Sequence, residues 1–259
     1  MAILSIQSAV AYGSVGNAAA VFPLQRLGFE VWRVDTVLFS NHTGYGAWRG
    51  TVLEPKLVRE ILLGIEERGV LPQCEAVLSG YLGTTELGRV VLDAVDSVKR
   101  ANPDAIYCCD PVMGDRGRGF FVRPELAEFF RAEAVRRADV LTPNHFELET
   151  LTGLGVGTLA AARSACDTLL AQGPRAILVT SLEIEEASTG DAAMLAATRD
   201  GGWLVRTPRL PMIANGAGDL TAALFLAHYL RTRDAAGALA ATASAVHAVT
   251  FLLSSFLSG

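Results

Sequence analysis

The chain has 259 residues, 51% hydrophobic, 19% charged and 7% aromatic, and its 22 basic and 27 acidic side chains leave a net charge of −5. That apolar content excludes a disordered chain and calls for a sizeable buried core. The scattered Lys and Arg exclude a nucleic-acid binder, which needs a basic stripe to displace counterions; a nucleotide substrate stays admissible, because backbone amides can hold phosphates on an acidic protein.

Short apolar, β-branched runs alternate with helical patterns. The strands predicted in chain order are Ala2–Gln7, Val31–Phe39, Ala76–Ser79, Ala105–Cys109, Val140–Thr142 and Ile177–Thr180. Between and after them the apolar spacing predicts helices at Asn17–Leu27, Leu57–Arg68, Glu86–Arg100, Leu159–Gln172 and Leu220–Leu230. A pair at Ala192–Ala197 and Trp203–Val205 flanks Arg199-Asp-Gly-Gly202 and reads as a hairpin. This rhythm predicts an α/β fold, a mostly parallel sheet with helices on both faces, in one domain over 1–259. The start of the chain has no basic stretch leading into a long apolar one, so no signal peptide is expected. Cys74, Cys108, Cys109 and Cys166 form no C-x-x-C pair, and free thiols in a reducing, cytoplasmic setting are expected. The stretch from Ala235 to Gly259 carries no Asp, Glu, Lys or Arg. It is long enough to span a bilayer, but its Ser, Thr, Ala, Gly and His247 content favours a buried C-terminal helix and no membrane partner.

Five predicted strands turn polar at their carboxyl ends: at Gln7-Ser8, Ser79-Gly-Tyr81, Asp110-Pro111, Thr142-Pro-Asn144 and Thr180-Ser181. Any strand becomes polar where it meets water. Five doing so together, one with an acid, outline a site where open α/β sheets bind ligands.

Asn215-Gly-Ala-Gly-Asp219 opens the helix at Leu220. Gly216 and Gly218 let the backbone approach a ligand, and the unpaired amides of a helix N-terminus suit a phosphate. Asp219 is then either a base aimed at the same place or an ordinary helix cap. No G-x-x-x-x-G-K-[ST] and no G-x-S-x-G occurs, which removes the P-loop and the hydrolase elbow. Gly155-Val-Gly-Thr-Leu-Ala160 fits G-x-G-x-x-A, but a helix precedes it where a strand should stand; Gly153 reads as a C-cap and Thr158 as an N-cap. Asp110 and Asp115 lie just beyond one strand, with Glu147 and Glu149 beyond another. Acids so gathered suit Mg²⁺, which keeps several waters and takes few carboxylates; solvated acids are the alternative, preferred for Glu149. His145, His228 and His247 read as core or surface residues, and the place of His42 stays open.

Seven segments in order resemble the pyridoxal kinases of the ribokinase-like superfamily, over nearly the whole chain. They are Ser5-Ile-Gln-Ser8 with Tyr12-Gly-Ser-Val-Gly-Asn17, Phe39-Ser-Asn-His-Thr-Gly-Tyr45, Leu78-Ser-Gly-Tyr-Leu-Gly83, Asp110-Pro-Val-Met-Gly-Asp115, Thr142-Pro-Asn-His-Phe-Glu147, Val179-Thr-Ser181 and Gly216-Ala-Gly-Asp219. The resemblance implies transfer of a phosphoryl group from ATP to the 5′-hydroxymethyl group of pyridoxal, and of pyridoxine and pyridoxamine. It implies that Ser8, Thr43 and Tyr81 line the pyridine pocket, with Val10, Tyr12, His42 and Gly44 close by. It places MgATP and a monovalent cation at Asp110, Asp115, Thr142, Asn144 and Glu147, with Asp110, Asp115 and Glu147 nearest the metal. Thr180 falls at the nucleotide phosphates and Thr207, Pro208, Arg209 and Leu210 near the adenosine. Gly216, Ala217 and Gly218 cradle the transferring group, and Asp219 is the base. A cytoplasmic homodimer is implied as well.

Three departures from the family pattern stand out. Ala217 brings no hydroxyl to the phosphate, Gly44 replaces a larger polar residue of some relatives, and the chain ends earlier than many. Arg116-Gly-Arg-Gly119 offers a lid over the phosphates. The competing readings are a hydroxymethylpyrimidine or sugar kinase of the same superfamily and a catalytically idle vitamin-binding protein.

Overall fold

A computed structural model describes residues 1–210 and 215–257. Nine strands form one sheet: β1 (Ala2–Tyr12), β2 (Glu30–Asn41), β3 (Gly50–Val52), β4 (Cys74–Ser79), β5 (Ile106–Cys109), β8 (Val140–Leu141), β9 (Ala176–Leu182), β10 (Asp191–Thr198) and β11 (Gly201–Pro208). Their order is β11-β10-β9-β8-β5-β4-β1-β2-β3. All pairs from β2 through β9 are parallel; β3, β10 and β11 add antiparallel edges. A separate two-stranded ribbon pairs β6 (Gly114–Asp115) with β7 (Gly119–Phe120). The predicted mostly parallel α/β architecture is the one observed.

The helices are α1 (Asn17–Arg26), α2 (Pro55–Glu67), α3 (Thr85–Ala101), α4 (Pro124–Phe129), α5 (His145–Thr152), α6 (Leu159–Leu170), α7 (Ala217–Thr232) and α8 (Ala235–Leu257). Because neighbouring strand residues point to opposite faces, the sheet feeds two cores. Leu4, Ile6, Tyr107, Cys109, Ile177 and Val179 pack on the side of α2 to α6. Ile3, Ile106, Cys108, Ala176 and Leu178 pack on the side of α1, α7 and α8. The four cysteines are free and buried in these layers.

The chain places β2 on one side of β1 and then crosses to β4 on the other, so the order reverses beside β1. Ligands of open α/β sheets bind at such a reversal, outside the carboxyl ends of the strands. Register aligns those ends, since Ile6 pairs with Ser79, Ser79 with Cys109, Cys109 with Leu141 and Leu141 with Ile177. The polar residues that follow, Ser8, Tyr81, Asp110 and Thr142, therefore emerge along one edge. Between Gln7 and Ala9 the pairing of β1 with β2 slips, and this bulge at Ser8 turns the strand where it meets the site.

Local signals account for most boundaries. Thr84 caps α3 by accepting from the Leu87 N–H at 3.2 Å, and Gly153 ends α5 in the left-handed conformation. Thr158 caps α6, accepting from the Ala161 N–H at 3.1 Å. Gly88 opens α3 to the ring of Phe129, whose Cε1 would stand 2.5 Å from a Cβ there.

The C-terminal helix corrects its expected burial. Ala235, Ala238, Leu239, Ala243 and Val246 are buried, but Val249, Phe251, Leu252 and Leu253 are 41–57% exposed. The small side chains fit α8 to its neighbours in its first half alone. Over Ala235–Ser255 it is long and apolar enough to cross a membrane by length and composition.

Phe130, fully buried just beyond α4, belongs to the core on the α2 to α6 side of the sheet. Replacing it by alanine is expected to cost about 3–5 kcal/mol in urea denaturation, the range for an emptied aromatic site.

Candidate active site

The site grows from two glycine turns that meet. Gly216, at φ 89°, begins α7, and a Cβ there would run into the Ser14 carbonyl. Gly16, at φ 54°, begins α1, and a Cβ there would run into Ser8. With both side chains absent, the turn after β1 lies directly on the turn before α7. The Gly16 N–H and the Asp219 N–H lie close enough to the Asp219 carboxylate to favour its charge. These donors favour the ionised form, yet burial prevails and pushes the Asp219 pKa up to about 6.

Asn17 anchors the Gly16 turn from below and is fully buried. Its Oδ1 accepts from Ser5 Oγ at 2.8 Å, and its Nδ2 donates to the Val34 carbonyl at 2.9 Å and to Asp35 Oδ1 at 2.7 Å. Gln7 Nε2 donates to the same Ser5 hydroxyl at 3.0 Å. One amide thus ties β1, β2 and α1 together beneath the Gly16 turn.

Asp219 closes one end of a hollow of about 70 Å³ lined by Ser8, Val10, Val15, Phe39, His42, Thr43, Tyr81, Val112 and Phe121. Burial raises the Tyr81 pKa, while burial and the Arg118 guanidinium lower that of His42. His42 Nδ1 accepts from the Gly44 N–H at 3.1 Å, which folds residues 42–45 into a single turn. The hollow is a lined aromatic and hydroxyl pocket with one carboxylate at its end.

On the far side of Asp219 a second group of acids is buried. Asp110 is 5% exposed, and its pKa is raised well above the carboxylate range by burial and by the Glu147 and Asp219 charges. The Thr142 hydroxyl lies close enough to favour ionisation of Asp110, although Thr142 Oγ1 is buried without a well-formed hydrogen bond. Glu147 accepts N–H groups of Met113 at 2.8 Å and of Asn144 at 2.9 Å. Burial still pushes its pKa up to about 8. Asn144 Oδ1 accepts from the Glu147 N–H at 2.9 Å, so the pair is a capping box opening α5. Ser181, next to Thr180, stands at φ 48°, a strained conformation of a kind that gathers at functional sites.

Several expectations change here. Tyr12 is 72% exposed and stacks toward Tyr45 with ring centroids 6.1 Å apart, outside the hollow. Gly44 does not line it either, and acts through His42. Asp110, Asp115 and Glu147 do not close into one ligand set, since among the described residues no three His, Cys, Asp or Glu side chains could together hold a metal ion. Glu147 is turned to its N–H donors, and Asp115 Oδ1 accepts the Arg116 N–H at 2.9 Å. Residues 116–118 form the turn of the β6–β7 ribbon, where Arg116 is held by Glu183 at 3.1 Å. Thr207 and Pro208 end β11 at the same sheet edge, and Arg209 Nε donates to the Asp191 carbonyl at 3.2 Å. Leu210 follows them at the limit of the described segment.

Comparison with known proteins gives the family to which this fold belongs. A family model described as phosphomethylpyrimidine kinase matches residues 50–251. The chain is 62% identical to pyridoxal kinase PdxY of Rubrobacter xylanophilus over 95% of its length and 86% of that protein's. It is 57% identical to pyridoxal kinase PdxY of Granulibacter bethesdensis, over 95% and 88%. The chain belongs to the pyridoxal kinase family. Among solved structures, the pyridoxal kinase from Leishmania donovani in complex with ADP and pyridoxine superposes with a TM-score of 0.81 at 34% identity, covering 87% of this chain and 78% of that one. The pyridoxal kinase from Entamoeba histolytica superposes at 0.87 with 26% identity, covering 95% and 87%.

Seen as a pyridoxal kinase fold, the hollow contains four residues that sequence reasoning did not single out as site residues: Val15, Phe39, Val112 and Phe121. Phe39 carried a signal, its place beside Ser40-Asn-His-Thr43. Phe121 carried none, because only the β6–β7 ribbon brings it to His42, with ring centroids 6.5 Å apart.

The glycines of the α7 turn are unequal. Gly216→Ala meets backbone at a positive φ and is expected to cut turnover more than tenfold and to lower the melting temperature. Nothing lies within 4 Å of a Cβ on Gly218. Gly218→Ala is therefore expected to leave the melting temperature unchanged or raised, since alanine is favoured over glycine inside a helix. Steady-state kinetics and thermal melts of the two variants check this.

Proposed function

We propose that this chain transfers the terminal phosphoryl group of ATP to the 5′-hydroxymethyl oxygen of pyridoxal, giving pyridoxal 5′-phosphate and ADP, and accepts pyridoxine and pyridoxamine likewise. One observation carries the reading: an amide-tethered carboxylate, Asp219, stands at the mouth of a glycine-opened helix N-terminus and at the end of a ring-sized aromatic hollow. A carboxylate there can take the alcohol proton as the oxygen attacks. The free amides at residues 216–218 and the positive end of α7 then stabilise charge on the transferring group. With Ala217 between the glycines, that stabilisation comes from backbone N–H groups.

In this proposal Ser8, Thr43 and Tyr81 hold the ring's polar groups, and His42, kept neutral by burial and Arg118, offers its free nitrogen. Thr142, Asn144 and Thr180 face the nucleotide phosphates, and Thr207, Pro208, Arg209 and Leu210 border the adenosine. The buried acids fit Mg²⁺, because burial and the Glu147 and Asp219 charges disfavour the Asp110 anion, and a cation beside it would offset both. Asp110 would hold the ion, with Asp115 and Glu147 behind, leaving the water and phosphate positions that Mg²⁺ prefers. Bound there, it would neutralise phosphate charge. The proposal extends to one kinase domain over the whole chain, working in the cytoplasm as a homodimer with a monovalent cation beside Mg²⁺.

The family model's description supports a second reading, phosphorylation of a hydroxymethylpyrimidine. Incubating the protein with MgATP and pyridoxal, pyridoxine, hydroxymethylpyrimidine or ribose, and measuring ADP, separates the two. Pyridoxal is the expected acceptor; ADP with hydroxymethylpyrimidine alone would favour the second reading, and tight pyridoxal binding without ADP would favour a carrier.

Two outcomes test the base. Asp219→Ala is expected to lower kcat about 10²–10⁴-fold, the usual contribution of a positioned base, with ATP affinity retained. Because the raised Asp219 pKa lies at about 6 and the base acts deprotonated, kcat/KM should fall as pH drops through about 6 and level off above it. A flat profile between pH 5 and 7 would remove the role.

A further inference from the structure

Across the sheet from this site, at the amino ends of the parallel strands, lies a cavity of about 440 Å³. It is bounded by the start of β9, the β10–β11 turn and the corner between α7 and α8. Three guanidiniums line it, those of Arg175, Arg199 and Arg233, together with Trp203 and Tyr229. For a chain of net charge −5 this is a local excess of positive charge.

The acids nearby offset it only in part: Asp139 pairs with Arg175, and Asp200 and Asp234 share the lining with Arg199 and Arg233. Asp234 Oδ1 and Oδ2 accept the Ala236 and Gly237 N–H groups at 3.0 and 3.1 Å, capping α8. Asp139, behind Arg175, is bonded to Lys99 Nζ at 2.6 Å and to the Tyr107 N–H at 2.8 Å, and lies 3.6 Å from Arg175 Nε. Asp200 is the one lining acid without such a tie. Arg199 Nη2 donates to the Leu170 carbonyl at 3.3 Å, and among the described residues neither Arg199 nor Arg233 pairs with a carboxylate.

Two further features point inward. Among the described residues Arg233 is one of two non-glycine residues at positive φ, 55°, where its N–H closes α7 onto the Tyr229 carbonyl at 2.8 Å. Tyr229 is 7% exposed, and its hydroxyl lies in the field of Arg233 and Arg175. Trp203 packs over Gly201 and leaves 37% of its surface open.

We propose that this cavity binds a phosphate monoester carried on a planar ring, with Arg199, Arg233 and the Tyr229 hydroxyl on the phosphate and Trp203 against the ring. Guanidiniums suit the phosphate through paired, charge-assisted donors, and an indole face suits any flat heterocycle. Two sources share this chemistry, pyridoxal 5′-phosphate and a nucleoside monophosphate. Where the ligand is the former, the inference also rests on the proposed reaction.

The test is isothermal titration of the full chain, saturated with ADP and pyridoxine, using pyridoxal 5′-phosphate, AMP and inorganic phosphate in turn. One additional site per chain is expected for a ring-bearing phosphate, with whichever of the two binds more tightly naming the source. Arg199→Ala/Arg233→Ala should weaken it at least about tenfold, because each charge-assisted bond to an anion is worth that much or more, while kcat stays unchanged. Trp203→Leu should weaken the ring-bearing ligands and leave inorganic phosphate as it was; this single variant serves if the double one does not fold. No additional site, or one that neither variant alters, overturns the inference. Binding in a chain that fails to phosphorylate pyridoxal would uphold this site while removing the proposed reaction.

Discussion

The contact between the Gly16 turn and the Gly216 turn, with the Gly16 amide facing Asp219, joins the turn after the first strand to the start of the seventh helix, nearly the whole chain apart in sequence. It forms because Gly16 and Gly216 both lack a Cβ and both adopt positive φ, so two backbone turns touch where any side chain would hold them apart. Ser8 of the hollow, the amides of α7 and the Asp219 carboxylate keep their relative places through that contact. Asn17, beneath it, spends its whole amide on β1 and β2, so the turn is anchored to the sheet.

The electrostatics follow from where that contact sits. Carboxylates at one dry sheet edge lose hydration, which raises Asp110, Glu147 and Asp219 above their ordinary range, and the charges of Glu147 and Asp219 raise Asp110 further. Glu147 offsets its burial with backbone donors, and Asp219 does so with Gly16. Asp110 has little beyond the Thr142 hydroxyl, so it is the acid most in need of a cation. The same ends of the strands thus supply a neutral, aromatic hollow on one side of Asp219 and an anionic, cation-seeking one on the other. A phosphoryl transfer between an alcohol and a metal-bound nucleotide requires that asymmetry.

Much of this was legible in the residues. Hydrophobic runs located the core strands, and Gly153 and Thr158 marked helix ends through local chemistry that operates within a few residues. The strand-end polar pairs converged as expected because parallel register aligns them. What stayed hidden was non-local or too short to show periodicity. β3 has three residues and exists only by pairing with β2, and β6 and β7 have two each. Phe121 depends on that ribbon for its place beside His42. The exposed second half of α8 was misjudged because small and apolar residues look alike whether or not a neighbour reaches them.

Patterning of apolar residues, turn glycines and capping side chains acts over a handful of positions, so the order of strands and helices, the glycine-led helix at residue 216 and the family likeness could all be read directly from the residues. Which acids share a charge environment, which ring faces the ligand hollow and where Tyr12 points depend on distances set by sheet register and by two loops meeting. Those contacts join residues far apart along the chain, and nothing local encodes their separation in space. The three guanidiniums at the opposite edge illustrate the same physics, for Arg175, Arg199 and Arg233 are unremarkable singly and become a pocket through packing.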